Sequence, residues 1–355
     1  MKILINTPRL IPQGGVANHY LGLRPYWNEN VKYNVVGKRN GHVGSGKYWL
    51  VYDIFKFILK IIIFRPDIIL LNPSLASGAL KRDDIFLKIA TIFHKKVTVF
   101  FHGFDFEYAK QIYAENFARK FNKASSFIVL SHAIRNTLIN LGINRHIYLS
   151  TTKVEDSLIK DFNINSRKGQ INSILFLARI TEAKGIFIAL DAFRIIQKEY
   201  PHLSLHVVGD GSALNNAKNY CSENNINNVI FLGSLSGNKL ISEFSNADLY
   251  LFPTYHAEGM PTSVLEAMAF GLPVITRPVG GLVDFFENGK MGMMVDSLKA
   301  EDFATEIEKL ITKPQTLKEI SIYNHNYAIK HFLASNVARN IETILKTTIN
   351  QQKIK

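Results

Sequence analysis

The sequence holds a single cysteine, Cys221, among its 355 residues. An intrachain disulfide framework is therefore excluded, and a reducing cytoplasmic setting is expected. Charged residues make up only 20% of the chain and apolar residues 47%, a balance that excludes wholesale disorder. At this length the apolar content supports two domains with separate cores. No apolar run suits a membrane span. In residues 49–64 almost everything is apolar, yet Asp53, Lys56 and Lys60 fall on one narrow helical stripe. That pattern reads first as a helix packed on a sheet with one exposed edge, and second as a helix lying on a membrane interface. Met1-Lys2-Ile3-Leu4-Ile5-Asn6 reads as a first strand and not as a signal peptide, because no long apolar stretch follows a basic start.

Acid is scarce in the first half. Residues 1–165 hold 23 Lys+Arg against 11 Asp+Glu, whereas residues 166–355 hold 19 against 18. Nearly all of the net charge of +13 therefore sits before residue 166. A basic face suits phosphates or an anionic membrane surface, and a merely solvated basic surface explains it about as well. No nucleic-acid reader motif is present, so nucleic acid is not an expected partner.

Short β-rich runs alternate with helical stretches along most of the chain. Strands are expected near 2–6, 32–36, 67–71, 96–101, 126–130 and 146–150, and again near 172–177, 203–208, 229–232, 248–252, 273–276 and 292–295. Helices are expected near 16–27, 49–64, 84–94, 107–121 and 131–141, then near 184–199, 212–224, 237–245, 262–271 and 300–312. Two further helices fill 315–350. This rhythm predicts two parallel, doubly wound sheets, with a polar linker around 153–170. The division expected is 1–165 for an N-terminal domain, 166–330 for a C-terminal domain, and 331–355 for a final helix that returns to the first.

Several strand-end motifs carry polar chemistry. The stretch Pro253 to Pro273 follows the apolar run Leu249-Tyr250-Leu251-Phe252 and turns through Glu258-Gly259-Met260-Pro261. It then enters a helix near Thr262-Ser263, which stops at Gly271. A helix start offers free amides to an anion, and Glu258 beside it would repel one unless it faces hydroxyls or a developing cation. Arg179 and Lys184 frame the turn after Phe176-Leu177. Two cations at that place can grip a pyrophosphate, one as a fork and one as a point charge.

Gly14-Gly15 lets backbone approach a ligand, although an ordinary turn would explain it equally. Gly209-Asp210-Gly211 and Gly233 end two further strands, where geometry alone can require glycine. His102 ends the strand around Val97-Thr98-Val99, and most lone histidines are structural. Asp105 and Glu107 form a D-x-E pair with no third ligand in view, so a metal there is disfavoured.

Taken together, Gly14-Gly15, His102, Arg179 with Lys184-Gly185, Gly209-Asp210-Gly211, the E-x7-E pair Glu258 and Glu266, and Pro278-Val279-Gly280-Gly281 resemble the retaining family 4 glycosyltransferases. These are the group 1 glycosyl transferases. The resemblance covers most of the chain and is more specific over 171–296. It implies an α/β chain of the GT-B fold, two Rossmann-like doubly wound domains facing across a cleft, with a UDP- or GDP-sugar donor held mainly by the second.

Residue by residue, it implies that Arg179 and Lys184 bind the donor pyrophosphate and Glu266 the ribose hydroxyls. Met260, Pro261, Thr262 and Ser263 would meet phosphates and sugar through their backbone. Glu258 would contact the sugar near the reacting carbon, His102 would contact it from the first domain, and Gly14-Gly15 would give the phosphate room. Gly209, Asp210 and Gly233 complete the donor side. No metal or other cofactor is expected. The expected acceptor is a glycan or a lipid-linked intermediate at the inner membrane face. Two rival functions share these features: a nucleotide-sugar epimerase, which would convert donor without acceptor, and a non-catalytic binding protein, which would bind without turnover.

Overall fold

Apolar runs too short for helices, each closed by a turn, become the strands of two parallel sheets in a computed structural model that describes residues 1–11, 14–37 and 46–351. Two units divide the chain, one formed by Met1–Lys153 together with the segment from Ala334 onward, the other by Val154–Leu333.

The first unit contains β1 (Lys2–Thr7), β2 (Asn30–Val35), β3 (Ile68–Leu71), β4 (Ser74–Leu75), β5 (Lys96–Phe101), β6 (Gly103–Phe104), β7 (Ser126–Val129) and β8 (His146–Leu149). Its helices are α1 (Gly15–Leu23), α2 (Gly46–Phe64), α3 (Ser77–Ile92), α4 (Phe106–Lys110), α5 (Ala114–Phe121) and α6 (His132–Asn140). The six long strands pair in parallel in the order β2-β1-β3-β5-β7-β8, while β4 and β6 pair separately.

The second unit contains β9 (Ser173–Leu177), β10 (Ser204–Val208), β11 (Val229–Gly233), β12 (Leu249–Phe252), β13 (Val274–Thr276) and β14 (Gly292–Met294). Its helices are α7 (Ile186–Ile196), α8 (Leu214–Glu223), α9 (Gly237–Asn246), α10 (Thr262–Ala269), α11 (Ala300–Ile311) and α12 (Pro314–Phe332). Its strand order is β11-β10-β9-β12-β13-β14, again parallel throughout. Strands such as β3 and β12 are apolar without alternation because helices cover both faces of a parallel sheet, and every residue in both is buried.

Each order reverses direction once. The reversal lies between β1 and β3 in the first sheet and between β9 and β12 in the second. At such a point successive connections leave to opposite sides, so the strand-end loops part and leave a crevice at the carboxyl edge.

α13 (Ala334–Asn350) packs in the first unit against α1 and β5. Its buried Glu342 accepts the backbone amides of Asn28 at 2.7 Å and Glu29 at 2.9 Å. Thr348 Oγ1 meets Ser126 Oγ at 2.8 Å.

Three expectations change. The unit boundary falls at Lys153/Val154, ahead of the 165/166 division, because the polar stretch after it is folded onto the second unit and is not a free linker. There the Val154 amide donates to the Phe332 carbonyl at 2.7 Å, and Ile159 is buried. The helix expected over 107–121 is two helices, since α4 ends at Gln111 and Tyr113 starts α5. The pair β4 and β6 was not anticipated, because two residues show no period.

Arg167 holds the re-entrant stretch in place. Its guanidinium donates to the carbonyls of Phe244, Ser245, Ala247 and Phe270, and lies 5.2 Å from the Phe162 ring. Those carbonyls belong to the C-terminal ends of α9 and α10, where orphan acceptors and the negative end of the helix dipole favour a cation. Arg167→Ala should lower the stability of the second unit by about 2–4 kcal/mol, as several charge-assisted bonds are lost and part-buried acceptors are left open. Arg167→Lys should recover less than half of that, because an ammonium lacks the fork. Urea denaturation measures both, and an unchanged midpoint for Arg167→Ala would contradict the role.

Candidate functional site

Charged and polar side chains of the second unit gather at its switch point. After β9 the chain turns through Arg179, makes one 3-10 turn over Glu182–Lys184, and enters α7 through Gly185. After β12 it runs through Pro253 to Pro261 and enters α10. The two loops are tied by backbone: the amides of Tyr255 and His256 donate to the Ala183 carbonyl at 3.0 and 2.9 Å. Glycine is required where they touch. A Cβ on Gly185 would lie 2.3 Å from the Pro253 carbonyl oxygen, so no other residue allows this approach.

Lys184 Nζ pairs with Glu258 Oε1 in this frame, with both side chains largely buried. The sequence reading assigns these residues to different parts of a ligand, but the structure brings them into direct contact. An ammonium has three N–H donors, so Lys184 keeps two for another oxygen, and Glu258 keeps its second oxygen. Arg179 stands exposed at the lip of the same crevice, and its guanidinium has no ion-pair partner among the described residues. Pro261 caps α10 without any side-chain hydrogen bond, so the first-turn amides face the loop unclaimed by a capping side chain.

Met260 and Pro261 are buried, while Thr262, Ser263 and Glu266 are half-buried. The Tyr250 hydroxyl, wholly inside the unit, lies 2.7 Å from Ser263 Oγ and 2.9 Å from the Leu177 carbonyl. Burial raises its pKa, the Ser263 hydrogen bond opposes this, and the Glu266 and Glu258 carboxylates add to the rise. Tyr250 thus fixes the first turn of α10 against the end of β9 as a neutral group.

The other predicted residues of this unit form the flank of the crevice. Gly209 N donates to the Gly233 carbonyl at 2.8 Å, which joins the ends of β10 and β11. Asp210 is exposed, and its Oδ1 accepts the Gly211 amide at 2.7 Å, so it braces its own turn. A Cβ on Gly209 would lie 1.9 Å from the Ala178 oxygen, so that glycine serves loop packing.

The first unit has its own strand-end cluster. His102 follows β5, and its Nε2 lies 3.2 Å from Asn72 Oδ1. Asn72 follows β3 and also meets the Tyr20 hydroxyl at 2.6 Å through Oδ1, while its Nδ2 donates to the Asn6 carbonyl at 2.8 Å. That last bond identifies the amide oxygen. Nε2 of His102 therefore carries the proton, and Nδ1 of the neutral ring keeps its lone pair. The ring also packs on Phe100 at 3.8 Å and on His19 at 4.7 Å.

His19 lies on α1, four residues after Gly15, so the paired glycines and His102 occupy one edge of one sheet. Around Gly14 and Gly15 a Cβ would meet nothing within 4 Å, and only Gly14 has a positive φ. Asp105 caps α4 by accepting the Tyr108 amide and Glu107 pairs with Lys110, so both carboxylates are used locally. Asn72, Tyr20 and Tyr250 were missed by sequence reasoning. Asn72 carried the signal that singled out His102, a polar residue directly after an apolar strand.

Burial pushes the His102 pKa from 6.5 down to about 3. Burial also holds the His19 pKa well below its ordinary value, with His102 and Lys153 adding to the effect. For His102, between about 3 and 6.5 the unfolded chain binds a proton that the folded chain refuses, so stability falls as pH drops below about 6.5. In imidazole NMR spectra of the folded protein, His102 should show no titration between about pH 5 and 8. A midpoint near 6.5 would show that the ring is not held as described.

Residues 159–327 match the model of a family described as glycosyl transferases group 1. The chain is 27% identical over 258 residues to the amylovoran biosynthesis glycosyltransferase AmsK of Erwinia amylovora, covering 70% of this chain and 62% of AmsK. It is 28% identical over 208 residues to the capsular polysaccharide biosynthesis glycosyltransferase CapM of Staphylococcus aureus, covering 58% of this chain and 52% of CapM. The chain thus spans somewhat over half the length of these relatives. Among solved structures, Anabaena HepE in complex with UDP and glucose is similar with a TM-score of 0.74 at 18% identity, covering 98% of this chain and 100% of that one. Over residues 159–327 the chain is thus similar to the group 1 glycosyl transferases, and it has the GT-B fold.

Proposed function

We propose that this chain is a retaining glycosyltransferase that moves a sugar from a UDP- or GDP-linked donor to a glycan or lipid-linked acceptor, in the synthesis of a bacterial-type surface polysaccharide. The observation that carries the reading is the switch-point cluster of the second unit, in which Arg179, the Lys184–Glu258 pair and the uncapped start of α10 share one crevice. Relatives named for amylovoran and capsular polysaccharide biosynthesis support the pathway class, and a neighbour holding UDP and glucose supports the donor class.

In this reading the donor diphosphate lies against Arg179, the two remaining protons of Lys184 and the first amides of α10. The C1–O bond to the diphosphate breaks, and the charge gathering on the departing oxygen is met by these donors, already in place. The acceptor hydroxyl attacks C1 from the same face, and its proton passes to the departing phosphate oxygen, so the anomeric configuration is retained. Glu258 faces the sugar near C1 and Glu266 accepts from the ribose hydroxyls. Gly233 lies two strands from β9, about 10 Å along the sheet edge, which is the reach of a nucleoside. In the first unit, Nδ1 of His102 is an acceptor open to a hydroxyl. The positive charge comes from side chains and helix amides, so this reading calls for no metal. The setting proposed is cytoplasmic.

Lys184→Ala should weaken donor binding by about tenfold or more, read by calorimetry. Glu258→Gln should cut turnover by on the order of 100-fold with a smaller change in donor affinity. Unchanged affinity and turnover in both would sink the assignment. Donor conversion in the absence of any acceptor would favour an epimerase instead.

Gly15 gives a sharper test, because nothing among the described residues requires glycine there. Gly15→Ala should leave the melting temperature unchanged and raise the donor KM about tenfold by crowding the phosphate. Wild-type kinetics in that variant would remove Gly15 from the site.

A further inference from the structure

α2 is apolar on the side that faces away from the protein. Its inner face is set by Asp53, Phe57, Ile61 and Phe64, all buried. Its outer face carries Val51, Tyr52, Phe55, Leu59, Ile62 and Ile63, with Val51 67%, Phe55 60% and Ile63 75% exposed. These positions recur at the helical period, so they form one stripe about 18 Å long along the axis. Ile92, the last residue of α3, which packs against α2, is 73% exposed. Contiguous exposed apolar area of this kind marks an interaction surface on a soluble domain.

The charges beside the stripe are of one sign. Lys56 Nζ lies 5.3 Å from the Tyr52 ring, and Lys60 Nζ donates to the Tyr33 carbonyl at 2.7 Å. At the C-terminal end of the helix, below the stripe, Lys32 Nζ lies 4.8 Å and Lys2 Nζ 5.8 Å from the ring of Phe64 on the inner face, and Arg65 beyond it is exposed. The acid of the helix, Asp53, is turned inward and accepts the Gly37 amide at 2.9 Å. Of the nearby strand-start acids, Asp67 accepts the Lys2 amide and Glu29 pairs with the N-terminus and Lys346.

We propose that this face of α2 docks the protein on an anionic lipid surface. The helix lies in the plane of the interface, its apolar stripe among acyl chains and its flanking lysines at the phosphates. No helix among the described residues is long and apolar enough to cross a membrane, so the helix lies on the bilayer and does not span it. A second copy of this chain is the wrong occupant, since it would set the same cations against one another. Anionic headgroups supply the opposite charge, each nearby lysine or arginine contributing about 1 kcal/mol of attraction. The proposal rests on α2 alone and does not depend on the sugar chemistry.

Flotation of the full chain with vesicles of phosphatidylcholine and phosphatidylglycerol at low salt tests it without any sugar nucleotide. Most of the protein should float, and the Phe55→Ser/Ile63→Ser double variant should bind at least tenfold less at an unchanged melting temperature. Lys32→Glu/Arg65→Glu should also weaken binding. In a Trp27→Phe background, Trp49 on α2 should shift its emission to the blue when anionic vesicles are added. No retention on anionic vesicles, equal retention on neutral ones, or retention untouched by the double variant would each overturn the proposal. A dimer in sedimentation that the double variant abolishes would assign the face to a second copy and overturn it as well.

Discussion

Parallel pairing with a single reversal of strand order is the constraint on which the rest depends. In the second sheet β9 and β12 are neighbours although more than 70 residues separate them, so the loops that follow them are pushed to one point from remote parts of the chain. Lys184 and Glu258, 74 positions apart, meet only because Leu249↔Ile174 and Tyr250↔Leu175 are in register. The glycine at 185 and the carbonyl of Ala183 then lock one loop onto the other. A site built this way inherits the rigidity of the sheet, although Arg179, Lys184 and Glu258 lie on the connections that follow the strands.

The ion pair resolves a difficulty that the primary structure poses. A cation before α7 sits at the positive end of that helix, which disfavours it, and the carboxylate before α10 supplies the opposite charge. Together they neutralise one another, and the crevice keeps its shape without concentrating like charge. The ammonium of Lys184 keeps two N–H donors and Glu258 keeps its second oxygen, so the pair leaves both polarities on offer. His102 follows the same economy by another route. Its ring is neutral because burial forbids the proton, and Asn72 fixes the tautomer, so it presents an acceptor and not a charge.

The sequence made most elements legible because buried parallel strands and their covering helices have strong, opposite periods. All twelve long strands fell close to their expected positions, from Lys2–Thr7 to Gly292–Met294. What escaped had no period to show. β4 and β6 are two residues each, and the break between α4 and α5 is set by Tyr113 and its neighbours and not by glycine or proline. The stretch ending at Arg167 looked like a linker because its composition is polar. Its order comes from one guanidinium reaching carbonyls about 80 to 100 positions away, which no local pattern encodes. For the site, spacing at strand ends marked Arg179, Lys184, His102 and Glu258. It could not reveal that two of them pair, or that Tyr20 and Asn72 stand behind His102.

The uneven charge of the chain now has a structural place. The excess of lysine and arginine belongs to the part of the chain that also carries the exposed stripe of α2, whereas the part that bears the switch-point cluster is close to neutral. The switch-point crevice does not draw on a basic domain as a whole. Instead it uses two cations and a helix start, a short-range arrangement that discriminates by geometry. Long-range positive field is better suited to an extended anionic surface than to one diphosphate, because screening confines it to about 8 Å at physiological salt and only a broad partner gathers many such contacts. The switch-point cluster and the exposed stripe of α2 are therefore electrostatically separate features of the chain, each with its own source of positive charge.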